Sequence, residues 1–78
     1  MSNPKLIQEH ISGNIHVKED TQFNNADAER VLIESNVTAR IYGNVKDVVL
    51  KEGSRLYLHG IISGNVLNEG GEIHLFQS

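Results

Sequence analysis

Residues 39–43 read Ala-Arg-Ile-Tyr-Gly, residues 56–60 read Leu-Tyr-Leu-His-Gly, and residues 73–76 read Ile-His-Leu-Phe. The segments recur at a constant step of 17. In each of them aliphatic residues alternate with charged, histidine or aromatic residues. Recurrence at a fixed period is the sequence signature of a repeat architecture. The same step aligns two further apolar columns, namely Ile15, Leu32, Val49 and Val66, and Ile11, Ala28, Val45 and Ile62.

Turn residues follow the same step as the apolar residues. Asn36, Gly53 and Gly70 form one column, and Gly43 aligns with Gly60. The pentapeptides at 11–15 and 62–66, Ile-Ser-Gly-Asn-Ile and Ile-Ser-Gly-Asn-Val, are separated by three steps of 17. Apolar and turn positions therefore indicate one repeat length.

This pattern predicts an all-β fold, a short parallel β-helix or solenoid with 17-residue coils. Apolar residues alternate with period 2, as in strands, and Gly, Asn and Ser interrupt the chain too often for helices of normal length. A 17-residue coil suits three short sides, and each coil buries its inward residues against its neighbours. The alternative is a small antiparallel meander barrel, because residues 48–58 and 66–75 also read as hairpins.

Length and composition bound the organisation of the chain. Its 78 residues form a single domain, 1–78, with residues 1–5 as a flexible tail. Residues 18–30 break the repeat, since Phe23 is their one large apolar residue. There we expect an irregular loop or bulge, with one helical turn at 26–30.

Several classes of protein are disfavoured. A formal net charge of −3 argues against a nucleic-acid surface, which needs clustered Lys and Arg. There is no apolar run long enough to span a membrane, and residues 1–12 lack the pattern of a secretory signal. Cysteine is absent, so no disulfide supplements a small core. We therefore expect a soluble, cytoplasmic protein.

The segments Ile-Tyr-Gly-Asn-Val at 41–45, Leu-Tyr-Leu-His-Gly-Ile-Ile-Ser-Gly-Asn-Val at 56–66 and Gly-Gly-Glu-Ile-His-Leu at 70–75 resemble those of bactofilins. Bactofilins are bacterial polymer-forming proteins with a right-handed β-helical core. The resemblance covers residues 31–76 and implies a right-handed coil and a structural role. Bactofilin cores are longer than four coils, and residues 18–30 depart from their regularity.

Two columns of outward residues are the candidate site. They should point to solvent because the residues between them are apolar. Such a face could be a stacking ladder between coils, a protein–protein interface, or a platform for a glycan or small ligand. Its predicted members are Arg40, Tyr42, Tyr57, His59, His74 and Phe76.

No residue pattern predicts catalysis, and we expect the protein not to be an enzyme. There is no phosphate-binding glycine loop or nucleophile motif, and no cofactor is expected. His59 and His74 fall in different columns without thiolate or carboxylate partners, so surface histidines are favoured over a metal site. Glu52 and Glu69 share a column at the 17 step, but Lys51 and Arg55 beside them favour a mixed-charge turn over an acid–base pair.

A solenoid has an open strand edge at each end, and open edges favour pairing with another chain. Ile73 and Leu75 are the predicted end-stacking edge. We therefore expect the partner to be the chain itself, in a homo-oligomer that is most simply a two-fold dimer. The expected function is a non-catalytic structural or self-assembly module. The alternative is a binding module that uses the Tyr/His/Phe face for a glycan, a small ligand or a protein.

Overall fold

The computed structural model describes residues 4–76, which form a parallel β-solenoid of about four coils. Every strand ladder among these residues is parallel, so the meander-barrel alternative is wrong and the solenoid prediction is confirmed. The described chain contains no helix. Its strands are β1 Lys5–Ile7, β2 Ile11–Val17, β3 Thr21–Ile33, β4 Thr38–Leu50, β5 Arg55–Ile62, β6 Val66–Asn68 and β7 Glu72–Phe76.

The coils stack in the order β1, β3, β4, β5 and β7 on one side, while β2 pairs with β3, and β6 with β4, on another. Along β3 the buried positions come in three alternating pairs, separated by the exposed pairs Asn24–Asn25 and Glu29–Arg30. The strand therefore bends twice, as expected for a three-sided coil. The inward side chains form one aliphatic core, in which Ile33, Ile41, Leu50, Leu56 and Leu58 are fully buried.

In the stack β1, β3, β4, β5 and β7, the coil length equals the predicted 17 residues from β4 to β7 and differs by one residue before β4. Ala39 pairs with Leu56, and Leu56 pairs with Ile73, at that step in each case. The coil from Thr21 to its partner Ala39 is one residue longer, and the coil from Lys5 to its partner Thr21 is one residue shorter. The columns through Ala39 and Ile41 and the turn column are therefore placed as predicted.

Two predicted apolar columns are wrong in part, because one-residue changes in coil length shift the register. Ile15 pairs with Val31, which pairs with Val48, which pairs with Val66. Leu32 and Val49, which were predicted to be inward, pair with each other in the neighbouring outward column and are half-buried. Since strand side chains alternate between faces, a shift of one residue is enough to move a side chain out of the core. Similarly, Ile11 pairs with Ala26, and it is Gly13 that lies opposite Ala28.

Aspartates accept backbone hydrogen bonds at two places where the coil gains a residue. The Thr38 N–H donates to Asp20 Oδ1 at 2.9 Å, and the Asn65 N–H donates to Asp47 Oδ1 at 2.9 Å. In both pairs the donor lies 18 residues after the acceptor, one more than the common coil length. The carboxylate oxygen thus accepts the hydrogen bond of a backbone N–H group for which the adjacent strand provides no acceptor.

The stretch 18–30 is more regular than the sequence suggests. From Thr21 onward it belongs to β3, and the helical turn expected at 26–30 is wrong, because those residues pair with β2 and β4. The register shifts between Phe23 and Ala26, so an irregularity does occur there. Most polar residues of the strand point outward, and Phe23, which is 4 % exposed, packs in the core. Thr21 is the buried polar exception, and its hydroxyl donates to the Glu19 carbonyl at 2.7 Å.

Two turn features set where the coils bend. Asn36, Gly53 and Gly70 all have positive φ, at 63°, 77° and 113°, which confirms them as equivalent turn positions. At another corner Gly43 pairs with Gly60, and a Cβ on Gly60 would overlap the carbonyl oxygen of Gly43. At Gly43 and Gly60 the successive coils therefore approach too closely for a side chain.

The expected tail at 1–5 lies partly outside the described residues, which begin at Pro4. Lys5 opens β1, and its N–H donates to the Asp20 carbonyl at 2.8 Å. The right-handed coil stays a prediction from the resemblance.

Candidate functional site

The six predicted site residues lie together on one face of the solenoid, in two columns contributed by β4, β5 and β7. Tyr42 pairs with His59 and His59 with Phe76, each one coil apart. We call the set the ring ladder; it comprises Arg40, Tyr42, Tyr57, His59, His74 and Phe76. Its use as an interface or a binding face stays a prediction.

The first column is a continuous stack of three rings. The centroids of Tyr42 and His59 are 4.4 Å apart with an interplanar angle of 11°, and those of His59 and Phe76 are 4.5 Å apart at 12°. Those spacings are close to the ~4.8 Å between paired strands, so the rings stack because the coils do. Each ring thus covers a face of its neighbour.

In the second column a guanidinium and two rings stack on one another. The Arg40 guanidinium lies 5.0 Å from the centroid of Tyr57, and His74 stacks on the other face of that ring at 4.9 Å. Arg40 Nη1 also lies 3.3 Å from His59 Nε2. Arg40 is the donor of this hydrogen bond, because a guanidinium has no acceptor atom. That contact joins the two columns across the face.

This geometry limits what the ring ladder can bind. Both faces of Tyr57 and of His59 are covered from within the chain, so the side of the solenoid presents ring edges. Glycan stacking needs an open ring face, which the middle of the ladder does not offer. Phe76 and His74 stand on β7, the last described strand, and Phe76 is 43 % exposed. Ring faces that no other ring or guanidinium covers are therefore confined to the ends of the two columns, at Tyr42, His74 and Phe76.

We expect His59→Ala to destabilise the fold by about 1–3 kcal/mol, because it removes two ring contacts worth ~0.5–1.5 kcal/mol each. The matched control is His74→Ala, which removes one ring contact, with Tyr57. Urea unfolding followed by circular dichroism measures both variants. Equal losses at the two positions would contradict the stacked column as a source of stability.

Among residues 4–76, no strand covers the last layer of the core at the C-terminal end of the solenoid. Leu75 and Val66 are the final members of inward columns and are 54 % and 43 % exposed, whereas Leu58, one coil below Leu75, is fully buried. Ile73, from the predicted end-stacking edge, is half-buried at the same level. We call this set the C-terminal end surface; it comprises Ile62, Val66, Ile73 and Leu75.

The N-terminal end is concave. An open pocket of about 610 Å³ lies between β1 and β2, and its lining includes Ile7, Ile11, Ile15 and Phe23. Charged side chains of Lys5, Lys18 and Glu19 also line it. We call it the N-terminal pocket.

Charged side chains form short surface pairs. Lys51 Nζ lies 3.4 Å from Glu69 Oε1, and Arg55 Nε lies 3.4 Å from Glu72 Oε2. The column expected to hold Glu52 and Glu69 is wrong by one residue, because the extra residue before Val66 brings Glu69 over Lys51. Within residues 4–76, no group of three His, Cys, Asp or Glu residues is placed to hold a metal ion.

Comparisons with protein-family models, with curated proteins and with solved structures found no match to this chain. Likeness to bactofilins therefore extends to the short parallel β-solenoid and no further. No helix with the length and hydrophobicity needed to cross a membrane occurs in the part of the chain that the structure describes.

Proposed function

We propose that the chain is a non-catalytic structural module, bactofilin-like in role, which assembles with copies of itself through the ends of its solenoid. The observation that carries the proposal is the C-terminal end surface. Leu75 and Val66 expose about half of their side chains, although each ends a column that is buried in the middle coils. Covering such side chains stabilises by ~25 cal/mol per Å² of apolar surface.

The backbone at the same end supports assembly as well. β7 and β6 each pair on one side only, with β5 and β4 respectively, among residues 4–76. Unpaired strand edges are templates for another chain, and proteins that stay monomeric commonly place charges or proline there. The inward positions of β7 are Ile73 and Leu75, so the edge carries apolar side chains on its core face.

The alternative is a binding module that uses the ring ladder. Tyr, Phe and Arg are favoured anchors at protein interfaces, and Tyr42 and Phe76 are 36 % and 43 % exposed. Because the ladder presents mainly ring edges, a protein partner suits it better than a glycan does.

We expect wild-type protein to show a molar mass that rises with concentration in light scattering, because end contacts obey mass action. Ile73→Lys should shift it towards the monomer, since it places a charge in the C-terminal end surface. The matched control, Tyr42→Ser, changes the ring ladder two coils away from β7 and should leave the mass unchanged.

Circular dichroism must show that both variants remain folded. A wild-type monomer at every concentration would overturn self-assembly and leave the ring ladder as a site for another protein. Loss of mass in Tyr42→Ser with assembly intact in Ile73→Lys would move the interface to the side of the solenoid.

A further inference from the structure

The three sides of the solenoid carry different numbers of strands. Among residues 4–76, one side stacks five strands, β1, β3, β4, β5 and β7. The side that begins at Ile15 and ends at Val66 stacks four segments, and so does the side that begins at Gly13 and ends at Ile62. Because each coil contributes one strand to a side, a continuous stack of such chains has room for only one of β1 and β7 at each joint.

β1 matches the core poorly in its present place. Lys5 pairs with Thr21, so it stands first in an inward column whose next three members are buried, yet Lys5 is exposed. Its Nζ lies 3.9 Å from Glu19 Oε1 at the surface. Leu6 stands in the outward column and is 50 % exposed, which leaves Ile7 as the one apolar side chain that β1 directs into the core.

β7 has the sequence that this place requires. Ile73 ends the column that Lys5 begins, and Leu75 ends the column that Ile7 begins. In the place of β1, the two residues would direct two aliphatic side chains into the core, where β1 directs one, and His74 would point outward. β7 also spans five residues, whereas β1 spans three.

The outer edge of β7 has the hydrogen-bonding groups that this place requires as well. The Glu72 N–H donates to the Ser54 carbonyl at 2.8 Å. Successive residues of a strand direct their N–H and C=O groups to opposite sides, so those of Ile73 point away from β5. Lys5, which corresponds to Ile73, donates its N–H to the Asp20 carbonyl at 2.8 Å. β7 could therefore form with β3 the ladder that β1 forms now.

We infer that β1 is a displaceable cap strand and that β7 of a second copy replaces it on β3. This inference rests on the proposed self-assembly and adds the way in which the ends join. With residues 4–10 moved out of the stack, the last coil of one copy continues into the next copy, and Val66 lies next to Ile15 of the second copy. β1 stacked directly on β7 would instead leave a gap of one strand on each of the other two sides. The joint does not close on itself, so it builds polar filaments.

The cap strand and β7 of a second copy compete for one place, and this competition sets the direction of a first test. Ile7→Asp weakens β1 on β3 but leaves β7 unchanged, so it should lower the concentration needed for assembly roughly tenfold. Lys5→Ile improves the fit of β1 and should raise that concentration by a similar factor. Sedimentation velocity across a concentration series measures both variants, and circular dichroism verifies folding.

The opposite pair of shifts would show that β1 is part of the joint, and it would overturn the displacement. Unchanged assembly in both variants would overturn it too, because β1 would then play no part. Lys5→Ile adds apolar contact to the fold, so it decides the question even if Ile7→Asp unfolds.

Disulfide trapping tests the register, because the chain has no cysteine of its own. His74 would occupy the place of Leu6, which pairs with Gln22. A mixture of His74→Cys and Gln22→Cys chains should therefore form a disulfide between copies on mild oxidation, since a disulfide spans the ~4.8 Å between neighbouring strands. The matched control mixes His74→Cys with Leu6→Cys and should form little of that disulfide. Mass spectrometry of the linked peptides identifies the pairs.

Every other pattern of disulfides contradicts the inference. Linkage of His74→Cys to Leu6→Cys, and not to Gln22→Cys, would show that β1 stays on β3. Linkage of His74→Cys to itself would show a two-fold joint between C-terminal ends. Assembly without any of these disulfides would place the interface on the side of the solenoid. All three results overturn the displacement but leave self-assembly intact, whereas a wild-type monomer at every concentration would overturn the proposed function itself.

Discussion

Gly60→Ala is expected to destabilise the protein by about 3–5 kcal/mol, a large part of the ~5–15 kcal/mol that holds an ordinary domain together. The new Cβ would overlap the carbonyl oxygen of Gly43 and lie 2.8 Å from its carbonyl carbon. Those atoms belong to the backbone of the coil below, so no side-chain rotation can relieve the overlap. The coils would have to separate at this corner, which would break ladder hydrogen bonds and open the core.

Gly13→Ala is the matched control, because a Cβ there meets nothing within 4 Å although its φ is +82°. That variant carries only the backbone strain of an L residue at positive φ, ~1–2 kcal/mol. Urea unfolding at a protein concentration below that of assembly compares the two. A loss under about 1 kcal/mol for Gly60→Ala would contradict the close approach of coils at Gly43 and Gly60.

Leu58→Ala is expected to cost about 2–5 kcal/mol, the range for removing a buried leucine side chain and leaving a cavity. Leu58 is fully buried between Ile41 of the coil below and Leu75 of the coil above. For a domain of this size such a loss corresponds to a fall in Tm of at least ~8 °C. Differential scanning calorimetry measures the fall.

Leu75→Ala is the control for this prediction, since Leu75 belongs to the same column but is 54 % exposed. We expect it to cost less than ~1 kcal/mol in the monomer, because much of the removed surface is already in water. Equal losses at both positions in dilute protein would contradict the end position of Leu75 in the solenoid.

The ring ladder was predictable from the sequence because the coils that carry it are regular. Tyr42, His59 and Phe76 follow the constant step of 17 in the chain, and successive members lie one strand spacing apart in the fold. Alternation with buried Ile41 and Leu58 also settled which side chains point outward. What the sequence left open was the mutual orientation of the rings, which depends on rotamers and decides that their faces are covered.

The first two coils were less predictable because their lengths depart from the common step. Leu32 and Val49 are as hydrophobic as the neighbouring valines, so hydrophobicity alone could not show that Val31 and Val48 occupy the core. Only the pairing of Ile15 with Val31, one residue short of that step, fixes the register. In the same way, the polar residues around Phe23 resemble a loop, and they form a strand because strands on both sides satisfy their backbone groups.

Each described strand pairs only with strands about one coil away along the chain. Local unfolding of one end therefore leaves the other end intact, and amide hydrogen exchange should be slowest in the middle, in β3 and β4. The terminal coils, with a neighbour on one side, should exchange fastest. Because those coils carry the surfaces proposed to join, ordering of an end and capture of the next copy should be thermodynamically coupled.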